Sequence, residues 1–357
     1  MPSYVVDTPQ RKYAAIVERG ILEKVGEYIP PGSGKVFVVT TRDVWQHHCA
    51  RLARGLTTFS HEILFFPGGE EHKRLSTVEA LAEDMVRRGG DRSSLVLAFG
   101  GGIANDVGGF LASIFMRGVP VLQIPTTLLA QMDAAIGGKT GVDLVSGKNL
   151  VGSFHQPIAV LIDPDVLSTL PEREYRAGLF EILKNAIIRS PSLFQLLRDR
   201  RADVLARKPE VVEQMISECV RIKAEVVSAD ERESGLRMIL NLGHTAGHAL
   251  EAETAYARFL HGEGVEFGMR VAIYLAERTG RLSSADAKLM LDTIALYGPI
   301  PSVEGVSADA LATRLFQDKK TIKGRVHWVL PEKVGQVAVV SGIDHALVRA
   351  VIQQALG

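Results

Sequence analysis

The sequence predicts an α/β protein: an N-terminal Rossmann-like domain with a parallel sheet, followed by a mostly α-helical C-terminal domain. Short apolar runs alternate with amphipathic segments in the first half of the chain, as βαβ units require. After about Pro164, amphipathic stretches of helical period dominate. With 357 residues the chain has the length of two ordinary domains, which we place at residues 1–165 and 166–357.

Several short runs in the first half have the composition of strands. They cover residues 35–40, 62–66, 94–99, 119–125 and 159–163. The run 94–99 is almost continuously apolar, as expected of a strand buried on both faces of a parallel sheet. Residues 76–88 instead have helical periodicity, with Val78, Leu81, Ala82 and Met85 on one face. Strands and helices therefore alternate, and the sheet needs crossover helices.

The second half is predicted to be helical in long stretches. Helical segments are expected at 172–188, 192–207, 210–227, 244–257, 264–279 and 284–297. Only residues 326–330 and 336–340 look like strands in this half.

Composition excludes several classes of function. Lys and Arg together number 41, as do Asp and Glu, so no overall charge favours nucleic acid or an anionic membrane. The two cysteines, Cys49 and Cys219, are far apart and form no metal or disulfide motif. The first residues lack a signal-peptide pattern, and no apolar segment approaches the ~20 residues that span a bilayer. We expect a soluble cytoplasmic protein.

Three histidines form the most informative pattern. His244 and His248 are four residues apart, which puts both imidazoles on one face of a helix. His261 follows in a His-Gly-Glu motif. A metal or catalytic site and an ordinary pair of half-buried helix histidines both fit this spacing, so the residues alone leave the two interpretations open.

Glycines and threonines follow two predicted strands. Gly100, Gly101 and Gly102 come after the strand 94–99 and before a helical segment, 107–116. Backbone N–H groups there can approach a phosphate, although the spacing is not G-x-G-x-x-G and a turn without ligand is the alternative. Thr126 and Thr127 follow the next strand. The carboxyl edge of such a sheet is where ligands bind.

Charged residues flank further glycines. Lys139 and Lys148 lie in glycine-rich segments and suit a phosphate or carboxylate, although solvated surface lysines are the alternative for each. Glu181 and Lys184 lie about one helical turn apart, and an exposed ion pair worth less than ~1 kcal/mol is the alternative there. The helical half adds further cations, at Lys223, Arg237, Lys319 and Lys320.

Taken together and in order, these motifs resemble the 3-dehydroquinate synthase family of sugar phosphate cyclases over nearly the whole chain. The matching segments are 69–73, Gly100 to Gly102 with Asp106, 116–118, 125–129, 137–141, 147–150, 154–157, Glu181 with Lys184, 241–244, 261–263 and 318–320. The resemblance implies the family's reaction in the shikimate pathway of aromatic amino acid biosynthesis. In it, 3-deoxy-D-arabino-heptulosonate 7-phosphate becomes 3-dehydroquinate plus phosphate through transient oxidation by NAD, phosphate elimination, re-reduction and aldol closure.

The resemblance also implies a divalent metal, zinc or cobalt, held by Glu181, His244 and His261. Geometry alone could have paired His244 with His248, but the family's pattern makes His248 a contact of the substrate. Three protein ligands leave coordination positions open, as in catalytic rather than structural sites.

Other positions match the family's cofactor and substrate contacts. Those implied for NAD are Glu70, Lys73, Gly101, Gly102, Asp106, Thr126, Thr127 and Thr169. Those implied for the substrate phosphate are Lys139, Asn149, Asn241, His248 and one of Lys319 and Lys320. Lys223 and Arg237 are implied for the carboxylate, and Asp133, Lys148 and Lys184 for other polar positions of the site. Arg117 matches a residue that reaches the neighbouring subunit's phosphate site, which implies a homodimer.

Two positions depart from the family's pattern. Ala134 and Ala135 stand where serines are frequent, and Asp143 stands where asparagine is frequent. Three alternatives remain: a sister cyclase acting on sedoheptulose 7-phosphate or glucose 6-phosphate, a polyol dehydrogenase of the glycerol dehydrogenase type, and a non-catalytic binding protein. The sister substrates lack the carboxylate that Lys223 and Arg237 suit.

Overall fold

The structure is a computed structural model that describes residues 2–317 and 326–357. Its contacts divide the chain into two units. The first unit comprises Met1–Pro171 with Val212–Arg232, and the second comprises Glu172–Val211 with Glu233–Gly357. The predicted architecture, a parallel-sheet N-terminal part followed by a helical C-terminal part, is confirmed. The division of function between 1–165 and 166–357 stays a prediction.

Strands and helices alternate up to residue 171. In chain order they are β1 (Ser3–Asp7), β2 (Lys12–Val17), β3 (Val36–Thr40), α1 (Arg42–Gly55), β4 (His61–Phe65), α2 (Leu75–Arg87), β5 (Leu95–Gly100), α3 (Gly102–Ile114), β6 (Val121–Pro125), β7 (Lys139–Leu144), β8 (Gly147–Phe154) and β9 (Ala159–Ile162).

The remaining elements are mostly helices. They are α4 (Glu172–Arg189), α5 (Pro191–Asp199), α6 (Arg201–Leu205), α7 (Pro209–Ala229), α8 (His244–Glu253), α9 (His261–Arg278), α10 (Ser284–Ala295), α11 (Ala308–Gln317), β10 (His327–Lys333), β11 (Gln336–Ser341) and α12 (His345–Leu356). Residues 212–232, which include most of α7, belong to the first unit.

The main sheet of the first unit has the strand order β1-β2-β9-β6-β5-β3-β4 among the described residues. β1 is antiparallel to β2, and the other neighbours pair in parallel. The five strands predicted from sequence are β3, β4, β5, β6 and β9, each within two residues of its predicted ends. The strands β1 and β2, at one end of the sheet, and the hairpin of β7 with β8 were not predicted; in the hairpin, polar and glycine residues hide the alternation.

Alternate residues of the central strands pack into two separate hydrophobic clusters. In β5, Val96 and Ala98 belong to the cluster that contains residues of α2 and α3. Leu95, Leu97 and Phe99 belong to the other cluster, which contains residues of α1 and of the 3₁₀ helix Ile21–Tyr28. Both faces of the strand are therefore covered, which explains its continuous apolar run.

In the second unit, α4 is buried on all sides over most of its length, from Ala177 to Ile188. A helix buried all round lies at the centre of its unit rather than on the surface. The predicted helix 192–207 is instead two helices, α5 and α6, which meet at Arg200. The predicted helix 244–257 ends early, at Glu253, because Ala255 and Tyr256 have left-handed backbone angles.

Helix α9 begins three residues before its predicted start. The carboxylate of Glu263 accepts a hydrogen bond of 2.7 Å from the backbone N–H of Leu260, which satisfies a donor that the first helical turn would leave open. His261 is therefore the first residue of the helix. Within residues 2–317 and 326–357, none of the helices combines the length and apolarity that a membrane crossing needs.

Candidate functional site

Three histidines converge in the second unit. One ring nitrogen of each of His244, His248 and His261 lies within 4.8 Å of the corresponding nitrogen of the other two. His244 and His248 project from the first turns of α8, and His261 begins α9. The interpretation as two ordinary, unconnected helix histidines does not account for this cluster, since a third imidazole joins them from another helix.

Glycines allow α8 and α9 to approach so closely. A Cβ atom on Gly268 would lie 1.7 Å from the carbonyl oxygen of Gly243, and one on Gly247 would lie 2.6 Å from that of Gly264. Real side chains do not fit at such distances, so the two backbones meet where neither has a side chain. This contact packs α8 against the first half of α9 and brings their histidines together.

Glu181 completes the cluster from α4. Its carboxylate is fully buried, with Oε1 at 3.8 Å from Nε2 of His244 and 3.6 Å from Nε2 of His261. Neither carboxylate oxygen has a hydrogen-bond partner among the described residues, and Nζ of Lys184 forms an ion pair with Oε2 at 2.5 Å. Oε1 instead faces the two imidazoles, and a buried carboxylate oxygen without a hydrogen bond is costly unless a cation meets it.

These atoms fit a divalent metal. One carboxylate and two imidazole nitrogens are a donor set typical of catalytic zinc, and cobalt accepts the same donors. The exposed-pair alternative for Glu181 and Lys184 is wrong, because both side chains are buried.

The protonation of the histidines differs with their surroundings. Burial, with help from the Lys184 ammonium, holds the pKa of His244 well below its usual value, so this imidazole is neutral and able to bind a cation. Burial also opposes a charge on His261, but the hydrogen bond and charge of Glu251 outweigh it and raise the pKa of His261. Nδ1 of His261 lies 2.9 Å from Oε1 of Glu251.

Two further predicted residues lie just before α8. Arg237 and Asn241 belong to the 3₁₀ helix Leu236–Asn241, and Arg237 is almost fully buried. The side-chain amide of Asn241 donates a hydrogen bond of 2.5 Å to Oε1 of Glu233. Glu233 thereby orients one of the predicted phosphate contacts, and sequence reasoning did not find it.

In the first unit, the predicted cofactor residues gather at the carboxyl ends of neighbouring strands. Gly101 caps α3 directly after β5, and Gly102 begins the helix. Thr126 follows β6, and its N–H donates to the carbonyl oxygen of Gly100 at 2.8 Å. A Cβ atom on Gly101 would lie 3.0 Å from Cγ2 of Thr127. Glycines and threonines are thus adjacent, at an open helix N-terminus suited to a pyrophosphate.

Lys73 connects several predicted residues of this unit. Its buried ammonium donates to Oδ2 of Asp106 at 2.6 Å and to Oδ1 of Asn149 at 2.5 Å. Burial works against this charge, but Asp106 outweighs it and raises the pKa of Lys73. Nearby, Lys148 lies 3.3 Å from the carboxylate of Glu70. Lys148 is therefore paired, and the solvated-lysine alternative does not describe it.

The other predicted residues are more dispersed. Oγ1 of Thr169 lies 3.0 Å from Nε2 of His48, whose pKa burial lowers to about 4. Lys223 forms an ion pair with Asp133, Lys139 is exposed, and Arg117 is an exposed residue with a left-handed φ of 70°. Lys319 and Lys320 lie outside the described residues.

Sequence reasoning missed two features that the spacing contains. Glu251 lies seven residues after His244, hence on the same helical face, and the pattern could have indicated it as a partner of the histidines. Gly243 and Gly247, like Gly264 and Gly268, are four residues apart. Paired glycines at this spacing indicate two helices in close contact.

Comparison with known proteins identifies the family. The chain matches the family models described as 3-dehydroquinate synthase N-terminal, over residues 63–177, and 3-dehydroquinate synthase C-terminal, over residues 178–321. It is 65% identical over 356 residues to a 3-dehydroquinate synthase of Solibacter usitatus, and the match covers 100% of both chains.

Two solved structures of cyclases have the same fold. One is 2-deoxy-scyllo-inosose synthase complexed with carbaglucose-6-phosphate, NAD⁺ and Co²⁺, with a TM-score of 0.89 and 29% identity over 99% of both chains. The other is 2-epi-5-epi-valiolone synthase from Streptomyces hygroscopicus with NAD⁺ and Zn²⁺, with a TM-score of 0.88 and 29% identity over 96% of both chains. The full-length match at 65% identity and the two family models together show that the chain belongs to the 3-dehydroquinate synthase family.

Proposed function

We propose that the chain is a lyase that converts 3-deoxy-D-arabino-heptulosonate 7-phosphate to 3-dehydroquinate and phosphate, using NAD and a divalent metal. The net reaction is redox-neutral and combines transient oxidation, phosphate elimination, re-reduction and aldol closure, as in the shikimate pathway. The observation that carries the proposal is the buried carboxylate of Glu181, whose Oε1 has no hydrogen bond within residues 2–317 and 326–357 and faces Nε2 of both His244 and His261.

Glu181, His244 and His261 are the residues that we assign to the metal. When bound, zinc or cobalt supplies a Lewis acid for an oxygen of the substrate. Glu181 brings the negative charge, and His244 is held neutral, the form in which an imidazole binds a cation. Lys184 remains beside Glu181 and limits the net charge of the site.

The first unit holds the residues that we assign to NAD: Glu70, Lys73, Gly101, Gly102, Asp106, Thr126, Thr127 and Thr169. When bound, NAD supplies a reversible hydride acceptor. Gly101 and Gly102 offer backbone N–H groups at the start of α3, where the helix dipole favours the pyrophosphate. The contact of Lys73 with Asp106 keeps that carboxylate oriented, since the buried ammonium stays charged.

The substrate carries a phosphate and a carboxylate. We assign the phosphate to Lys139, Asn149, Asn241, His248 and one of Lys319 and Lys320, and the carboxylate to Lys223 and Arg237, with Asp133, Lys148 and Lys184 as further polar contacts. The support for Arg237 is its nearly complete burial, because a desolvated guanidinium binds carboxylate strongly and in two-point fashion. The amide of Asn241 is held by Glu233 and is therefore pre-oriented.

Catalysis by this set is mainly orientation and electrostatic stabilisation. Cations around the phosphate stabilise the charge that it gains on leaving. We assign acceptance of the proton lost in the elimination to the substrate's own phosphate, which His248 and Asn241 hold in place.

We also propose that the chain acts as a homodimer in the cytoplasm. The support is the exposed left-handed turn of Met116 and Arg117, with Ile114 exposed beside it. Apolar side chains on a strained, protruding turn are typical of contacts between subunits. Light scattering after gel filtration tests the dimer, and a monomer mass at micromolar concentration would contradict it.

The deciding experiment measures phosphate release from 3-deoxy-D-arabino-heptulosonate 7-phosphate while the absorbance of NADH is recorded. We expect stoichiometric phosphate without lasting NADH. Turnover should be lost when a chelator is added and should recover when excess Zn²⁺ or Co²⁺ is returned. Steady accumulation of NADH would instead indicate a polyol dehydrogenase.

Sedoheptulose 7-phosphate and glucose 6-phosphate, assayed in parallel, separate the synthase from its sister cyclases. We expect little turnover of either, since neither offers a carboxylate to Arg237 and Lys223. A preference for one of them would replace the proposed substrate, while ligand binding without turnover in any metal would indicate a binding protein.

A further inference from the structure

A second buried carboxylate lies behind the histidine cluster, on the side away from Glu181. Glu251 is on α8, only 1% exposed, and its Oε1 lies 2.9 Å from Nδ1 of His261. The other nitrogen of the same ring, Nε2, lies 3.6 Å from Oε1 of Glu181. The imidazole of His261 is therefore set between two carboxylates, one at each nitrogen.

We propose that Glu251 is a positioning residue that fixes the orientation and tautomer of His261. An ionised carboxylate can only accept, so Nδ1 of His261 carries the hydrogen. The lone pair of a neutral ring is then on Nε2, which faces Glu181. The inference rests on the proposed function, because a presented lone pair matters only where a metal binds.

The packing around Glu251 leaves this arrangement little freedom. A Cβ atom on Gly264 would lie 2.9 Å from Oε1 and 3.1 Å from Cγ of Glu251. The absence of a side chain at Gly264 thus makes the room that the carboxylate fills. The glycine contacts between α8 and α9 set the spacing of Glu251 and His261, which stand on different helices.

A carboxylate behind a ligating imidazole does more than orient it. The negative charge makes the ring a better electron donor, and such partners typically contribute about 10–100-fold to metal affinity. The alternative is a purely structural role, in which Glu251 only joins two helices. The two roles differ in what they predict for metal binding by a variant that stays folded.

The test compares Co²⁺ affinity of metal-free native protein, Glu251→Ala, Glu251→Gln and Glu266→Ala, by competition with a chromophoric chelator. Glu266 is the matched control. Like Glu251 it is a buried glutamate, but it lies on α9 and pairs with Arg270. We expect Glu251→Ala to weaken the Kd by about 10–100-fold. Glu251→Gln should recover part of this loss, because its carbonyl oxygen still accepts from Nδ1. Glu266→Ala should stay within about twofold of native.

Native Kd in folded Glu251→Ala, or an equal loss in Glu266→Ala, overturns the inference and leaves the proposed metal site standing. Failure of the native protein itself to bind Co²⁺ overturns the metal site and the inference together. Should Glu251→Ala not fold, ¹⁵N NMR of histidines in the zinc-loaded native protein decides. We expect a protonated Nδ1 and a metal-bound Nε2 on His261, and the opposite assignment overturns the proposal.

Discussion

Oε1 of Glu181 and Nε2 of His261 face each other across 3.6 Å, and neither oxygen of that carboxylate has a hydrogen bond within the described part of the chain. One residue comes from the centre of the buried helix α4 and the other from the first position of α9. Two groups at this distance can share a cation, whereas a direct hydrogen bond would need them closer.

Separate substitution of two histidines tests how the cluster is divided. We expect His261→Ala to lose metal retention, because one of the assigned ligands is removed, and His248→Ala to keep the metal and lose turnover. The measurement is the metal-to-protein ratio after gel filtration, alongside phosphate release. If His248→Ala lost the metal and His261→Ala kept it, His248 would be the metal ligand and His261 the substrate contact.

Lys184 is expected to stabilise the protein mainly when the metal is absent. Lys184→Met leaves the carboxylate of Glu181 buried without its neighbouring ammonium, which costs about 3–5 kcal/mol for a buried pair. Urea unfolding should show this loss in metal-free protein and a smaller one at saturating Zn²⁺. Lys288→Ala, which breaks an exposed i,i+4 pair with Asp292, is the control and should cost at most about 0.5 kcal/mol. Equal losses in both variants would show that the Glu181 pair behaves as a surface pair.

A methyl group on Gly268 is expected to separate α8 from α9. The added Cβ would lie 1.7 Å from the carbonyl oxygen of Gly243, so Gly268→Ala should destabilise by at least about 1–3 kcal/mol and weaken metal binding as the histidines move apart. Gly102→Ala is the control, since within the described residues its added Cβ makes an ordinary contact of 3.5 Å with Cβ of Ala134, at the start of helix α3. Thermal unfolding and Co²⁺ titration of both variants give the answer, and a native Kd in Gly268→Ala would refute the explanation.

Asp143 is expected to make stability pH-dependent. Burial, together with the nearby Glu70 carboxyl, raises the pKa of Asp143 against the opposing hydrogen bond from the N–H of Asn149, at 2.7 Å, and the charge of Lys73. The carboxyl of Asp143 thus binds its proton more tightly in the folded protein than in the unfolded chain. The stability that this proton contributes is fully present below the unfolded pKa and is lost as the pH rises through the folded pKa.

Asp143→Asn removes that dependence and keeps an acceptor for the N–H of Asn149. We expect the variant to gain unfolding free energy relative to native between about pH 4 and about pH 7.5, as measured by urea unfolding at both values. A difference between the two proteins that is the same at both pH values would contradict the raised pKa.

Gly102→Val is expected to separate cofactor binding from folding. Among the described residues, a Cβ on Gly102 would meet Ala134 at 3.5 Å, which is an ordinary contact, so the fold should tolerate a side chain there. The same side chain would cover the N-terminus of α3 and exclude a pyrophosphate. Titration calorimetry should show that NAD affinity is reduced at least tenfold, and thermal unfolding should show little change in the unfolding temperature. Unchanged NAD affinity would contradict the assignment of Gly102 to the NAD site.

The local sequence pattern was enough to predict the central strands of the sheet. It was not enough where tertiary packing determines the backbone conformation. The run 94–99 identified β5 because burial on both faces leaves an unbroken apolar stretch. The hairpin of β7 and β8 was not predicted, because Lys139, Lys148 and the glycines around them are typical of loops. Ala255 and Tyr256 adopt left-handed backbone conformations after the end of α8, and neither residue type normally favours that conformation.

The candidate site divides in the same manner. His244 and His248 are linked by spacing on one helix, so the sequence could join them. His261, Glu181 and Glu251 come together only because α4, α8 and α9 pack, and spacing does not encode the contact between helices. The resemblance to the family supplied Glu181 and His261. Glu251 was overlooked although its spacing from His244 indicated it, and Glu233 became visible only in the structure.

Residues of α4, α8 and α9 meet at a few nitrogen and oxygen atoms. A cation bound to these atoms would link three helices and so stabilise the second unit. Metal that binds only the folded state adds stability by mass action, about 2.7 kcal/mol when its free concentration is a hundred times the Kd. The temperature at which this unit unfolds therefore reports the supply of free metal. With the metal assigned to these residues, we expect a shortage of metal to lower the stability of the protein as well as its turnover.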